Sequence, residues 1–446
     1  MIKSLKITNL FGAFNYDIQF RDEGITIITG PNGFGKSTIL NIIETIAEKD
    51  LYELCQFSFE RITVITTNEK IEIEKRENGV VVNDCYLEFF SQRIMDNWRR
   101  RKGLPFIERI GPETFLDVRY DRVITLKEYA ALVKQYNSEN DIVDKLISVN
   151  YEHAKQNKKD STKYKILQRQ VALFKQDVGK IKFIKEQRLI RQVIEEESYY
   201  SRSDKPRIVE VITELPKKMM DQIKDVVLKY SEIASQLDSS FPARLFESEE
   251  TISIDEYVNS LVKIVKRQEK IQDYSLIKDL RIISIGNYKE AYAKALKVYL
   301  DDTTQKLAVY NELINKLDAF VYTINGKLYN KRIVVSSDFG LKVVRHDGRE
   351  LDLNKLSSGE QQIIVLYYEL IFETQDKTIL MIDEPEISLH VAWQRTIMED
   401  LKKILSLKNG ELYVIVATHS PQVINNNWGM IVDLGEGEEN EQFNKN

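Results

Sequence analysis

Residues 30–38 read Gly30-Pro31-Asn32-Gly33-Phe34-Gly35-Lys36-Ser37-Thr38, the spacing G-x-x-x-x-G-K-[ST]. No other stretch constrains the fold as tightly, because such a loop works only between a buried strand and a helix N-terminus. Its glycines let backbone N–H groups curl around a phosphate, its lysine reaches the β- and γ-phosphates, and its first hydroxyl can ligate Mg²⁺. Gly30, Asn32, Gly33, Gly35, Lys36, Ser37 and Thr38 are therefore the predicted nucleotide-binding residues. By residue usage alone the pattern would turn up in about 2% of random chains this long. The flanks supply the required context. Gly24-Ile25-Thr26-Ile27-Ile28-Thr29 reads as a buried parallel strand, and Ile39, Ile42, Ile43 and Ile46 recur at helical spacing after the loop.

A second chemical stretch lies far downstream. Thr378-Ile379-Leu380-Met381-Ile382-Asp383-Glu384 is an apolar strand ending in two acids. On a sheet that carries a phosphate loop, Asp383 is placed to hold Mg²⁺ and Glu384 to orient and deprotonate an attacking water. An exposed acidic turn would show the same letters. Leu356-Ser357-Ser358-Gly359-Glu360-Gln361-Gln362 precedes a helix with Ile363, Leu366, Tyr367 and Leu370 on one side. Its serine and glycine can offer donors to an anion, and the same residues make an ordinary helix cap. A further buried strand, Glu411 to Val416, leads into Ala417-Thr418-His419-Ser420. His419 can sense a γ-phosphate or be structural.

Elsewhere the chain is mixed. Ile2 to Ile7 and Tyr16 to Phe20 read as paired strands, followed by strands at Arg61 to Thr66, Ile71 to Lys75 and Val80 to Val82. From Asp84 to Lys182 the pattern is irregular and polar. Trp98 beside Arg99-Arg100-Arg101-Lys102 is a candidate polyanion contact, whereas the lysines of 155–165 read as a solvated face. Met219 to Leu237, Tyr257 to Ile271 and Leu296 to Leu317 each repeat apolar residues every three or four positions, predicting two or three amphipathic helices in a short coiled coil or bundle. Strands return at Arg332 to Val335 and Leu341 to Arg345. The tail from Gly435 is acidic and polar and is expected to be disordered.

Composition narrows the function classes. Net charge is −5, so the chain as a whole is not a basic nucleic-acid coat. Two cysteines, Cys55 and Cys85, without a C-x-x-C pair supply neither a disulfide framework nor a zinc hook, and are expected to be reduced thiols in a cytoplasmic protein. No apolar run reaches the roughly 18 residues of a membrane span, and no membrane partner is expected.

In chain order stand the phosphate loop, a glutamine after a strand (Gln187), a helical insertion, the 356–360 signature, the Asp383-Glu384 strand and a histidine after the last strand. Together they resemble the ABC-type ATPases of the SMC/RecF superfamily, of the AAA_15/AAA_21 type. Asp383-Glu384-Pro385-Glu386-Ile387-Ser388-Leu389-His390 followed by Trp393-Gln394 is similar to the overcoming-lysogenization-defect branch. That branch includes the ATPase subunits of anti-phage systems such as PARIS and Septu. Phe183 to Leu189 and Ser240 to Leu245 resemble it too, while Val391 departs from it where a proline usually follows the histidine.

The resemblance implies an α/β ABC-ATPase head, with a phosphate-loop parallel sheet and an antiparallel β subdomain, carrying an inserted helical or short coiled-coil arm. The implied division is 1–190 and 323–435 for the two parts of the head, 191–322 for the arm and 436–446 for a disordered tail. It further implies an ATPase that pairs two heads around two ATP molecules with Mg²⁺, possible higher homo-oligomers aside. Lys36, Ser37, Thr38, Gln187, Asp383 and Glu384 of one chain would face the signature residues Ser357, Ser358, Gly359 and Glu360 of the other. Gln187 and His419 join Glu384 as catalytic residues, and Ser37, Gln187 and Asp383 form the metal set. The implied role is control of a separately encoded nuclease or toxin effector in anti-phage defence. A RecF-like repair ATPase that binds DNA, or a nucleotide-dependent scaffold, would carry the same head.

Overall fold

The computed structural model describes residues 1–21, 24–48, 54–77, 79–88, 107–109, 114–117, 122–125, 162–193, 207–277, 288–408 and 412–435. The basic cluster beside Trp98, most of the 155–165 lysines and the tail after Gly435 lie outside them. Two compact units emerge. The first comprises Met1–Glu186, Asp376–Pro385 and Gly410–Asn446; the second comprises Gln187–Gln375 and Glu386–Asn409.

In addition to a small antiparallel sheet of β8 (Ile107–Arg109), β9 (Thr114–Asp117) and β10 (Arg122–Thr125), the first unit holds two large sheets. One is antiparallel, in the order β2-β1-β4-β5-β6-β7, built from β1 (Ile2–Leu10), β2 (Phe14–Gln19), β4 (Arg61–Thr66), β5 (Lys70–Arg76), β6 (Gly79–Val82) and β7 (Cys85–Glu88). In β1 the buried apolar residues Ile2, Leu5 and Ile7 break strict alternation, because the pairing with β4 shifts register between Ile2 and Ser4. The other sheet is parallel throughout, ordered β11-β17-β18-β3-β19, from β3 (Ile25–Thr29), β11 (Lys180–Ile184), β17 (Thr378–Asp383), β18 (Tyr413–Ala417) and β19 (Ile431–Asp433). Strands buried on both faces read as continuous apolar runs, and β17 is buried at all six positions.

Helix α1 (Lys36–Ala47) buries Ile39, Ile42, Ile43 and Ile46 in a core shared with both sheets. Helix α2 (Thr162–Val178) corrects the reading of 84–182 as irregular throughout. It buries Tyr164, Leu167, Val171, Phe174 and Val178, alternating three and four residues apart. That stripe is one residue per turn wide and sits among lysines and glutamines, so local composition concealed its period.

The second unit is mainly helical. A hairpin of β12 (Ile190–Val193) and β13 (Arg207–Glu210) leads into α3 (Val211–Glu247), followed by α4 (Ile254–Asp273), α5 (Ala293–Ala308) and α6 (Asn311–Asn325). The third apolar run, read as one helix, is therefore two. The chain breaks at Val309–Tyr310, and the fully buried Tyr310 turns the corner against Tyr230, ring centroids 5.3 Å apart. The period survives the break because Tyr310 still occupies a core position.

Pro242 lies inside α3, where it deprives one carbonyl of its helical donor. Nearby, Arg244 donates to the Leu237 carbonyl at 2.7 Å and forks onto both carboxylate oxygens of Asp302 in α5. The 240–245 stretch is thus a staple between two arm helices. Three antiparallel strands, β14 (Lys331–Ser336), β15 (Gly340–Arg345) and β16 (Glu350–Leu351), then precede α7 (Ser358–Tyr368) and α8 (Ile397–Ser406). No helix among the described residues is long and apolar enough to cross a membrane.

Candidate active site

Between β3 and α1 the phosphate loop sits in the first unit. The N-cap of α1 is Gly35, with no side-chain cap and no acidic residue in the first turn. The opening N–H groups are thus left for an anion, where the helix dipole favours one. Gly33 has φ +90°, and a Cβ there would meet nothing within 4 Å. Its glycine identity serves the backbone turn and keeps the space over the loop open. Asn32 is exposed beside it, while Ser37 and Thr38 lie half-buried in the first helical turn.

Lys36 folds back over its own loop. Its Nζ donates to the Gly30 carbonyl at 2.9 Å and the Pro31 carbonyl at 3.3 Å, and stands 3.7 Å from Glu384 Oε1. The other oxygen of Glu384 lies 2.6 Å from His419 Nδ1. Lys36 and Glu384 are only 5% and 8% exposed, a burial that charged side chains tolerate when paired. The imidazole is half-exposed and forms the open side of the group. Glu384 also adopts φ +42°, a left-handed conformation costing on the order of 1–3 kcal/mol for a non-glycine residue. Its N–H bond to the Ala417 carbonyl, 2.9 Å, and the flanking strand ends of β17 and β18 hold it there.

Asp383 closes β17 and is buried. Burial pushes its carboxyl pKa up and the neighbouring Glu384 and Glu186 add to that, against a Ser37 hydrogen bond and the Lys36 charge. Its Oδ1 has no hydrogen-bond partner. A buried, unpartnered carboxylate oxygen with a hydroxyl bonded to the same group fits a small hard cation, so Ser37 and Asp383 are the residues that would hold Mg²⁺. Bound there, the ion would neutralise charge on the β- and γ-phosphates.

Gln187 and the signature belong to the second unit, where Gln187 follows β11 by three residues in sequence. Ser357 is the N-cap of α7: its hydroxyl accepts from Glu360 N–H, and Glu360 in turn accepts from Ser357 N–H at 3.1 Å. The cap reading of this stretch therefore holds. Ser358 and Gly359 open the helix, and a Cβ on Gly359 would lie 2.5 Å from the Ser388 carbonyl. Close approach, as well as any ligand, demands glycine at that position.

Three features went unread in the sequence. Phe11, Phe14, Tyr16 and Phe34 form an aromatic bracket on the loop, with Phe14 and Phe34 centroids 5.2 Å apart and Tyr16 donating to the Phe34 carbonyl at 2.7 Å. The three aromatics around Phe14–Tyr16 carried a signal, but it read only as strand propensity. Glu186 acts on Asp383 from β11's end. Lys331 in β14 grips both Glu360 oxygens at 2.9 Å, a pairing across 29 residues with no local signature.

Over 79 residues the chain is 30% identical to Protein ea59 of Escherichia phage lambda, an alignment covering 18% of this chain and 15% of that protein. Among solved structures, it aligns with the Smc head domain from Pyrococcus furiosus bound to the C-terminal domain of ScpA. Identity is 11%, coverage 97% of this chain and 92% of that one, and TM-score 0.34. The SMC head domain from Thermotoga maritima aligns at 11% identity, 95% and 90% coverage, and TM-score 0.31. The AAA ATPase domain family, AAA_15, matches residues 1–424. With that match running from the first strand past His419, the chain belongs to the AAA_15 family of ATPase domains.

Proposed function

We propose that this ATPase works as a switch made of two chains, closed by ATP and reopened by its hydrolysis. The observation that carries the reading is the group at the loop: Glu384 held between Lys36 and His419, beside a buried Asp383 oxygen that no donor satisfies. Phosphates bound in the loop compete for Lys36, which now spends its donors on the Gly30 and Pro31 carbonyls. Once Lys36 turns to phosphate, Glu384 loses its nearest cation and becomes the base for an attacking water, still oriented by His419.

The signature supplies the second half. Ser357 and Glu360 cap the helix and Lys331 holds that cap, so the N–H groups of Ser358 and Gly359 at the helix N-terminus are presented to an anion in fixed geometry. In our reading that anion is the γ-phosphate on a second protomer, which makes ATP part of the interface and hydrolysis the release. The 383–390 motif supports placing this switch in an anti-phage defence system, where it would hold and release a separately encoded nuclease or toxin.

The test is Glu384→Gln co-expressed with the adjacent gene's product. The variant should bind Mg·ATP, accumulate closed dimers and retain the effector that wild type releases. Equal release by both would remove hydrolysis from the switch. Strong salt-dependent duplex binding with no effector would favour the repair reading instead.

A further inference from the structure

Helix α4 carries two apolar stripes. The first, Tyr257, Leu261, Ile264, Gln268 and Ile271, is buried within the second unit. The second, Ile254, Val258 and Val262, recurs every four residues and is 54%, 39% and 42% exposed, with half-buried Val265 continuing it. At about 100° per residue the two stripes lie roughly a quarter turn apart, so the outer stripe cannot be the edge of the inner one. Among the described residues nothing covers it.

Charge along the outer stripe identifies what does. On its solvent flank Asp255 stands at the N-terminal end and Lys266 at the C-terminal end, about 16 Å apart along the axis. Among the described residues neither makes an ion pair. A face acidic at one end and basic at the other is complementary to itself when turned end for end. With Val258 of each helix against Val262 of the other, Asp255 of one copy comes within a residue of Lys266 of the second, at both ends of the seam. Glu269, beyond the apolar run, then faces Thr251, outside the helix and polar. A single isologous two-fold contact thus covers the outer stripe and brings both charges to opposite partners.

We propose that α4 pairs antiparallel with α4 of a second copy of this chain, a homodimer contact that needs no nucleotide. Its occupant is a second copy because the charge order repeats under a two-fold axis, which a foreign partner would have no reason to match. Exposed Phe246 and Tyr292 lie at the same end of the arm as Ile254: Lys294 donates to the Phe246 carbonyl at 3.4 Å, and Tyr288 donates to the Ile252 carbonyl at 2.7 Å. They can widen a seam that one helix pair alone would leave in the roughly micromolar range. Such a contact would keep two heads tethered while ATP comes and goes, which makes head closure a local event.

Sedimentation velocity across a concentration series, without nucleotide and in the full chain carrying Lys36→Ala, separates this contact from ATP-driven pairing. The parent should dimerise with rising concentration. Val258→Glu with Val262→Glu should be monomeric with unchanged circular dichroism, since both positions are exposed. Asp255→Lys should weaken the dimer about tenfold or more, by placing like charges across the seam. Adding Lys266→Asp should restore it, a result that no folding defect could mimic. A monomeric parent, an unaffected valine double variant, or a charge swap that fails to recover would each overturn the proposal.

Discussion

Gly359→Ala isolates a constraint on the signature helix that exists before any nucleotide arrives. The added methyl would stand 2.5 Å from the Ser388 carbonyl, where ordinary contact begins near 3.4 Å. The overlap of about 0.9 Å meets backbone, which cannot rotate away like a side chain. Ser388 itself is fixed at φ +61°, within a turn whose Leu389 N–H bonds the Glu386 carbonyl at 2.9 Å. Inserting one methyl into such a contact costs about 1–3 kcal/mol. Replacing glycine by alanine in a helix returns about 0.5–1 kcal/mol. The balance lies between zero and about 2.5 kcal/mol of net loss, centred near about 1 kcal/mol, which lowers the melting temperature by about 2–4 °C for a unit of this size. Differential scanning calorimetry without nucleotide measures it. Gly326→Ala is the control, because its Cβ would make only ordinary contacts, 3.4 Å from the Tyr322 carbonyl. If Gly359→Ala melts at or above wild type while Gly326→Ala behaves as expected, the close approach is not a constraint and the argument fails.

Lys36→Ala should abolish productive nucleotide binding and leave the fold intact, since Lys36 bonds only loop carbonyls and one carboxylate; unchanged affinity by titration calorimetry would refute the loop assignment. Glu384→Gln should bind Mg·ATP yet turn it over at least about 10²-fold more slowly, and wild-type turnover would assign the base elsewhere. Burial alone would push Glu360 up, but Lys331 and the Ser357 N–H and hydroxyl outweigh it and hold the carboxyl below its ordinary value. The unfolded chain therefore takes up that proton first, so the stabilisation is full above the ordinary carboxylate pKa and fades as pH falls through the lower folded one. Urea denaturation at neutral and acid pH should show Lys331→Met destabilised at neutral pH, with the gap to wild type narrowing in acid. A constant gap would dissociate Lys331 from Glu360.

What could be read from sequence was what is local. The phosphate loop announces itself because its backbone path forces residue types within nine positions, and β17 because a strand buried on both faces must be apolar throughout before its terminal acids. The inner stripe of α4 was legible to the residue, since Tyr257, Leu261, Ile264, Gln268 and Ile271 are its buried set. Features built across long separations were not. Lys331 meeting Glu360 and Glu186 acting on Asp383 depend on which strands become neighbours, and no period encodes that. Helix α2 failed for another reason: a narrow stripe in a lysine-rich segment averages out to polarity. The break at Val309–Tyr310 was invisible because a buried corner residue preserves the spacing of a continuous helix.

The central claim is that one catalytic site is shared between two chains, and mixing two dead variants tests it most directly. Ser357→Arg leaves its own loop intact and spoils the signature offered to a partner; Lys36→Ala does the reverse. Each alone should hydrolyse no ATP. Combined in equal amounts, mixed dimers carry one intact composite site in two, so activity should return to roughly a quarter of wild type. No return, with subunit mixing demonstrated by differently tagged chains, would contradict a site built from two protomers.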